Sequence, residues 1–164
     1  LLFRPIAGNL FSSVQIVGAM LIVTGLLLWL TRGLKIEGRD MEQLTIRDAL
    51  CIGVIQGAAI LPGISRSGTT IAMGLFKGLN RETAARYSFL LSIPAILGAM
   101  ILELGEAPAS GFPSAKVILL GAFTAAAVGY VALRVLIRLV KKGSLHAFAP
   151  YCWLLGAMAV ITSF

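Results

Sequence analysis

Residues 46–77 read IRDALCIGVIQGAAILPGISRSGTTIAMGLFK. No charge occurs from Ala49 to Ser65, nor from Ser67 to Phe76, so Arg66 stands as a lone permanent cation in apolar sequence. Pro62-Gly63 breaks the stretch just before it. The arm from Ile46 to the break has about 15 residues, and the arm from Thr69 to Lys77 would span roughly 14 Å as a helix. Neither crosses a hydrocarbon core of about 30 Å comfortably. The stretch is therefore predicted to enter and leave by the same side, as a re-entrant helix–loop–helix over about 46–77. Irregular backbone at membrane depth survives only where protein or water satisfies it.

The composition supports a membrane setting. Of 164 residues, 58% are hydrophobic and 13% charged, where a soluble domain carries about 25% charged residues. The chain reads as one all-α integral membrane domain over 1–164. Besides the broken segment, four apolar spans are expected, at about 10–31, 87–103, 117–140 and 150–164. Trp29 suits an interface at the end of the first. Pro94 is expected to kink the second, and Pro150 fits the first turn of the last. Gly53 and Gly57, Gly74 and Gly78, and the Gly121–Ala125–Gly129 series have the spacing that lets helices approach closely.

The net charge of +7 is better explained by topology than by nucleic acid. Arg32, Lys35 and Arg39 follow the first span; Lys77, Arg81 and Arg86 follow the broken segment; Arg138, Lys141 and Lys142 follow the next-to-last span. If the broken segment re-enters, all three clusters share one side, which the positive-inside rule makes cytoplasmic. The Gly105–Gly111 loop, without a basic residue, falls on the other. Cys51 and Cys152 lack metal-ligand spacing and read as reduced core thiols. His146, the single histidine, reads as a surface or interface residue. The chain starts at Leu1 rather than Met, and residues upstream are expected.

Arg66 carries the chemistry. An arginine deep in a bilayer costs about 2.5–3.5 kcal/mol on insertion scales and marks a functional site; snorkelling fails if the loop tip lies mid-membrane. Ser65, Ser67, Thr69 and Thr70 add hydroxyls beside it. Gly63 and Gly68 allow tight turns that expose backbone N–H groups, and a helix N-terminus follows directly. Guanidinium, hydroxyls and free N–H groups at one point describe a phosphate cradle, alongside ordinary capping by Ser67 or Thr69. Gln56 reads either as interhelical glue or as a contact to that site. Arg81 and Arg86 read as loop anchors; Tyr87, Ser88 and Ser92 as packing or cavity lining. Nothing in Ala49–Phe76 is acidic, yet phosphate hydrolysis needs a base or metal-binding carboxylates.

Residues 56–99, QGAAILPGISRSGTTIAMGLFKGLNRETAARYSFLLSIPAILGA, resemble the second signature region of the undecaprenyl-diphosphatase (bacitracin-resistance) family. PGISRSGTT and YSFLLSIPAILGA are highly specific, and the likeness extends over essentially the whole chain as the family's C-terminal half. The resemblance implies half of an inverted-repeat fold, each repeat with a re-entrant hairpin. It implies a bacterial plasma-membrane enzyme that removes the terminal phosphate of undecaprenyl diphosphate, recycling the lipid carrier for the cell wall and conferring bacitracin resistance. Residue by residue, Ser65, Arg66, Ser67 and Thr70 match the phosphate-binding and catalytic loop, Gly63 and Gly68 its turns, and Gln56 the helix leading in. Arg81 also matches and is placed with the substrate-binding set. The family's first signature, a glutamate pair leading to Pro-x-Ser-Ser-x-Gly-His, is absent, so the ligands of the required divalent cation (Mg or Ca) are expected outside this chain. The expected partners are a polyprenyl diphosphate lipid, the membrane and the missing N-terminal half, with a homo-oligomer left open; nucleic acid is not among them. The rival reading is a lipid-phosphate flippase or anion transporter, since broken helices suit either and fold alone does not decide.

Overall fold

The computed structural model describes residues 13–34, 37–105 and 114–163. Among them the chain is all-helical: α1 (Val14–Leu30), α2 (Ile46–Ala58), α3 (Arg66–Phe76), α4 (Arg81–Gly105), α5 (Ala115–Lys141) and α6 (Ala149–Ile161), with 3₁₀ turns at Met41–Gln43 and Ser144–Phe148. Three stretches are long and apolar enough to cross a membrane: Arg81–Glu103, Ala115–Lys141 and Ser144–Ile161. α1 is a shorter apolar helix of 17 residues. The expected Gly105–Gly111 loop, apart from Gly105 itself, and the outer ends of the first and last spans lie outside the described residues.

Local chemistry sets the ends. Thr45 caps α2, its hydroxyl accepting from the Asp48 N–H while Asp48 accepts from the Thr45 N–H. Asn80 accepts from the Thr83 N–H at 2.8 Å, which starts α4 at Arg81, six residues before the expected Tyr87. α4 runs through Pro94 without a break. Pro150 lies in the first turn of α6, as expected.

α1 and α6 pack side by side. Gly18 and Gly156 face each other so closely that a Cβ on Gly18 would lie 2.8 Å from the Gly156 carbonyl. Farther along, Trp29 meets Trp153 and His146, with ring centroids 5.6 and 6.2 Å apart. α2 and α3 form a hairpin around the Ala59–Ser65 break; α3 packs on α1 and α4. Gly74 of α3 meets Ala84 of α4, whereas Gly78, paired with it by spacing, has no neighbour within 4 Å of an added Cβ, and neither do Gly53, Gly57, Gly121 and Gly129.

The three basic clusters meet at one end of the bundle. The Arg39 guanidinium donates to the Lys77 carbonyl at 2.7 Å. Lys141 pairs with Glu82 at 2.7 Å. Arg81 donates to the Leu34 carbonyl at 2.9 Å and rests against Gly143. Much of the buried core gathers near this end, with Leu75, Leu79, Ala84, Val140, Leu145 and Ala149. Away from it, α4 and α5 present exposed apolar side chains from Ile93 to Leu102 and from Val117 to Val131, surface that lipid or protein must cover.

Candidate phosphate-binding site

The break between α2 and α3 is held against the side of α1. Gly63 adopts φ +93°, the left-handed region that favours glycine. A Cβ there would lie 2.3 Å from the Val17 carbonyl, so both conformation and contact demand glycine. Thr24 of α1 donates to the Gly63 carbonyl at 3.0 Å and accepts from the Ser65 N–H at 3.1 Å. Val17 and Thr24 stand 14 and 7 residues before Thr31, near the basic end. At 1.5 Å per residue the loop therefore sits roughly 10–20 Å along α1 from that end.

Ser65 is the N-cap of α3, its hydroxyl accepting from the Gly68 N–H at 3.2 Å. Its carbonyl takes the Thr69 N–H at 2.9 Å. Among the described residues nothing accepts from the N–H groups of Arg66 and Ser67. These donors, with the positive end of the α3 dipole, are what an anion would meet.

Ser65, Ser67 and Gly68 border an apolar cavity of about 400 Å³. Gly63 and Thr24 complete the polar edge; Leu28, Ile71, Leu136 and Tyr151 are among its walls. A polar rim on an apolar cleft is the usual form of a site for an amphiphilic ligand.

The structure sorts the expected site residues. Gly63, Ser65, Ser67 and Gly68 come together at the cavity. Arg66 opens α3 beside them, half-buried and without an ion pair among the described residues; its side chain does not line the cavity. Thr70 turns to α4, its hydroxyl 2.6 Å from that of Ser88, while also donating to the carbonyl of Arg66. The Thr69 hydroxyl is buried without a partner among the described residues.

Gln56 is interhelical glue: its side-chain N–H donates to the Leu91 carbonyl at 3.3 Å, close to where Pro94 leaves the α4 ladder one donor short. The Gln56 carbonyl oxygen is buried without a partner among the described residues. Arg81 is not brought to the loop. It lies past the far end of α3, whose 11 residues span roughly 16 Å as a helix. There it is 5% exposed, with Nε and Nη1 unpartnered among the described residues. Cys152 is buried and Cys51 half-buried, both free thiols. His146 Nδ1 lies 3.0 Å from the Gly143 carbonyl, an acceptor to which the ring N–H donates, within a 3₁₀ turn.

The donor set at the loop fits an anion. It offers a divalent cation no carboxylate, the usual charged ligand, and no cluster of three His, Cys, Asp or Glu occurs among the described residues. Thr24 is the site residue that the sequence reading missed. It lies in an uninterrupted apolar span with no motif around it, and only the packing of α1 on the loop reveals it.

The chain matches the family described as bacitracin resistance protein BacA over residues 1–158. It is 53% identical over 162 residues to an undecaprenyl-diphosphatase of Desulfatibacillum aliphaticivorans, covering 99% of this chain and 59% of that one. It is 54% identical over 164 residues to an undecaprenyl-diphosphatase of Desulforapulum autotrophicum, covering 100% and 59%. An undecaprenyl-diphosphatase of Methanothermobacter thermautotrophicus is 48% identical over 161 residues, covering 96% and 88%. The chain thus spans 59% of the length of the first two relatives. With its three membrane-length apolar helices, this chain is a membrane protein and belongs to the bacitracin resistance protein BacA family.

Proposed function

We propose that this chain supplies the phosphate-binding part of a membrane enzyme that hydrolyses undecaprenyl diphosphate to undecaprenyl phosphate and inorganic phosphate, recycling the lipid carrier of cell-wall synthesis. The observation that carries the reading is the position of the α3 N-terminus: free N–H groups and serines at the edge of an apolar cavity, about halfway along α1. A diphosphate head requires the donors, and an isoprenoid tail requires the cavity. Soluble phosphate would need only the first.

Hydrolysis breaks the anhydride P–O bond between the two phosphorus atoms. A water, or a serine later freed by water, attacks the terminal phosphorus; polyprenyl phosphate leaves. The N–H groups of Arg66 and Ser67 and the serine hydroxyls hold non-bridging oxygens. Arg66 clamps the head group from beside the cavity and offsets the charge that builds in the transition state, a contribution of several kcal/mol in a dry site. The general base belongs to another segment, in keeping with the acid-free stretch Ala49–Phe76. The divalent cation would likewise be held by residues outside this chain.

The setting follows. The α2–α3 hairpin re-enters from the basic end, which faces the cytoplasm of a bacterial plasma membrane. The exposed sides of α4 and α5 take up lipid, the remaining part of an inverted repeat, or a second copy. The test is phosphate release from undecaprenyl diphosphate by the full-length polypeptide in bilayers. Release with formation of the monophosphate supports the reading. Transfer of intact lipid phosphate between leaflets without release would replace it by transport.

A further inference from the structure

Thr24 lies on α1, outside the hairpin, and is 1% exposed. Its hydroxyl has one proton to donate and lone pairs to accept. The proton goes to the Gly63 carbonyl at 3.0 Å and a lone pair takes the Ser65 N–H at 3.1 Å. One oxygen thereby spans the two peptide groups on either side of Ile64. Among the described residues, no other side chain from outside the hairpin hydrogen-bonds the backbone of the 59–65 break.

The consequence reaches the site through one residue. Ser65 is the N-cap of α3, and its dihedrals decide where its own hydroxyl and the N–H groups of Arg66 and Ser67 point. Gly63 is flexible by nature, and its left-handed conformation needs something to hold it. Its contact on the Val17 carbonyl limits how near the loop can come. The Thr24 bonds fix its register along α1. Thr31, on the same helix and equally buried, differs: its hydroxyl donates to the Leu28 carbonyl at 2.6 Å within its own chain turn.

We infer that Thr24 is a positioning residue for the anion loop: its hydroxyl clamps the Gly63–Ser65 backbone so that the α3 N-terminus is preset for phosphate. This rests on the function proposed above. The alternative is that Thr24 merely helps α1 adhere to the hairpin.

The two are separated in the full-length polypeptide in bilayers with Thr24→Val, which keeps the shape and loses both bonds, Thr24→Ser, which restores the hydroxyl, and Thr31→Val as control. Two quantities are read: amide hydrogen exchange over residues 60–68, and kcat and KM for diphosphate hydrolysis. A loop misplaced by an ångström can cost about a hundredfold in rate, so Thr24→Val should lower kcat by about 10- to 100-fold and speed loop exchange about tenfold. KM should move far less than kcat, Thr24→Ser should stand close to wild type in both readings, and Thr31→Val should leave kcat and loop exchange unchanged. Wild-type kcat in Thr24→Val, an equal loss in Thr31→Val, or no rescue by serine overturns the assignment. If the wild type itself releases no phosphate, the phosphatase reading fails. Exchange then decides the clamp alone: faster in Thr24→Val only sustains it, and unchanged rejects it.

Discussion

The Arg39 guanidinium and the Asp48 carboxylate close the open end of the α2–α3 hairpin, with Nη1 2.8 Å from Oδ2. Nη2 of the same side chain donates to the Lys77 carbonyl at 2.7 Å. One cation thus joins the first turn of α2 to the C-cap of α3. The Asp48 oxygen also accepts from the N–H and hydroxyl of Thr45. With this clasp at one end and Thr24 near the tip, the hairpin is fixed at both.

Asp48→Asn should loosen the base. The amide keeps an acceptor but loses the charge that holds Arg39, so the unfolding temperature in detergent should fall by several degrees, with the loss concentrated in α2 and α3 on hydrogen exchange. The Arg39 bond first, and the Thr45 bonds after it, hold the Asp48 carboxyl well below its ordinary value. A carboxylate depressed on folding stabilises above its unfolded pKa and stops doing so as pH falls through the folded one. Stability arising from this pair should therefore be flat down to about pH 5 and disappear only in strong acid. In Asp48→Asn that acid loss should be smaller. An equal acid loss in both proteins would remove Asp48 as its source.

Gly63→Ala should be far more damaging than Gly53→Ala. At Gly63 a methyl group meets the Val17 carbonyl at 2.3 Å, and the φ of +93° is already unfavourable for alanine. The loop would have to leave α1, and both Thr24 bonds would go with it. Phosphate release should be lost and the break should become open to proteolysis. Gly53 sits in α2 with no atom within 4 Å of an added Cβ. Alanine there should leave this chain folded and favour the helix by roughly 1 kcal/mol. Comparable stability of the two variants by thermal unfolding would contradict the close contact at Gly63.

Much of this layout was legible in the sequence, and the parts that were not share a cause. Pro62-Gly63 and the length of the arms gave the hairpin. The basic residues gave one common end, where Arg39, Lys77, Arg81 and Lys141 do meet, although Arg81 is buried there. Asn80 could have been found: an asparagine before Arg-Glu-Thr is an N-cap with an acid in the first turn, and it would have started α4 correctly. Arg81 reads from its local sequence as a loop anchor and joins the substrate-binding set only through the family resemblance. It is 15 residues from Arg66 in sequence, but α3 intervenes and carries it to the opposite end. Thr24 and the Leu91 carbonyl that receives Gln56 were out of reach, since each is defined by a neighbour on another helix and neither alters local pattern or propensity.

Arg66→Ala and Arg66→Lys should separate charge from geometry in the full-length polypeptide. Arg66 is half-buried and holds no acid among the described residues, so neither change should lower the unfolding temperature much. Alanine removes the clamp and should cut turnover by about a hundredfold or more. Lysine keeps the charge but loses the planar fork that grips two phosphate oxygens, and should recover only part of the rate. Full activity in Arg66→Ala would reject the clamp, and full activity in Arg66→Lys would reduce it to a point charge.

The 164 residues alone should bind phosphate without hydrolysing diphosphate. The loop presents unused N–H groups at Arg66 and Ser67, hydroxyls at Ser65 and Ser67, and a guanidinium without an acid partner among the described residues. All of these attract an anion, and none removes a proton from water at neutral pH. Inorganic pyrophosphate should therefore slow amide exchange at residues 66–68 of the purified chain in micelles, at millimolar rather than micromolar concentration. High salt should weaken the effect, because screening acts on a partly exposed charge. Phosphate release measured on the same sample should stay at the background of empty micelles. Clear turnover would mean that this chain already contains its base, and the assignment of that role to another segment would have to be withdrawn.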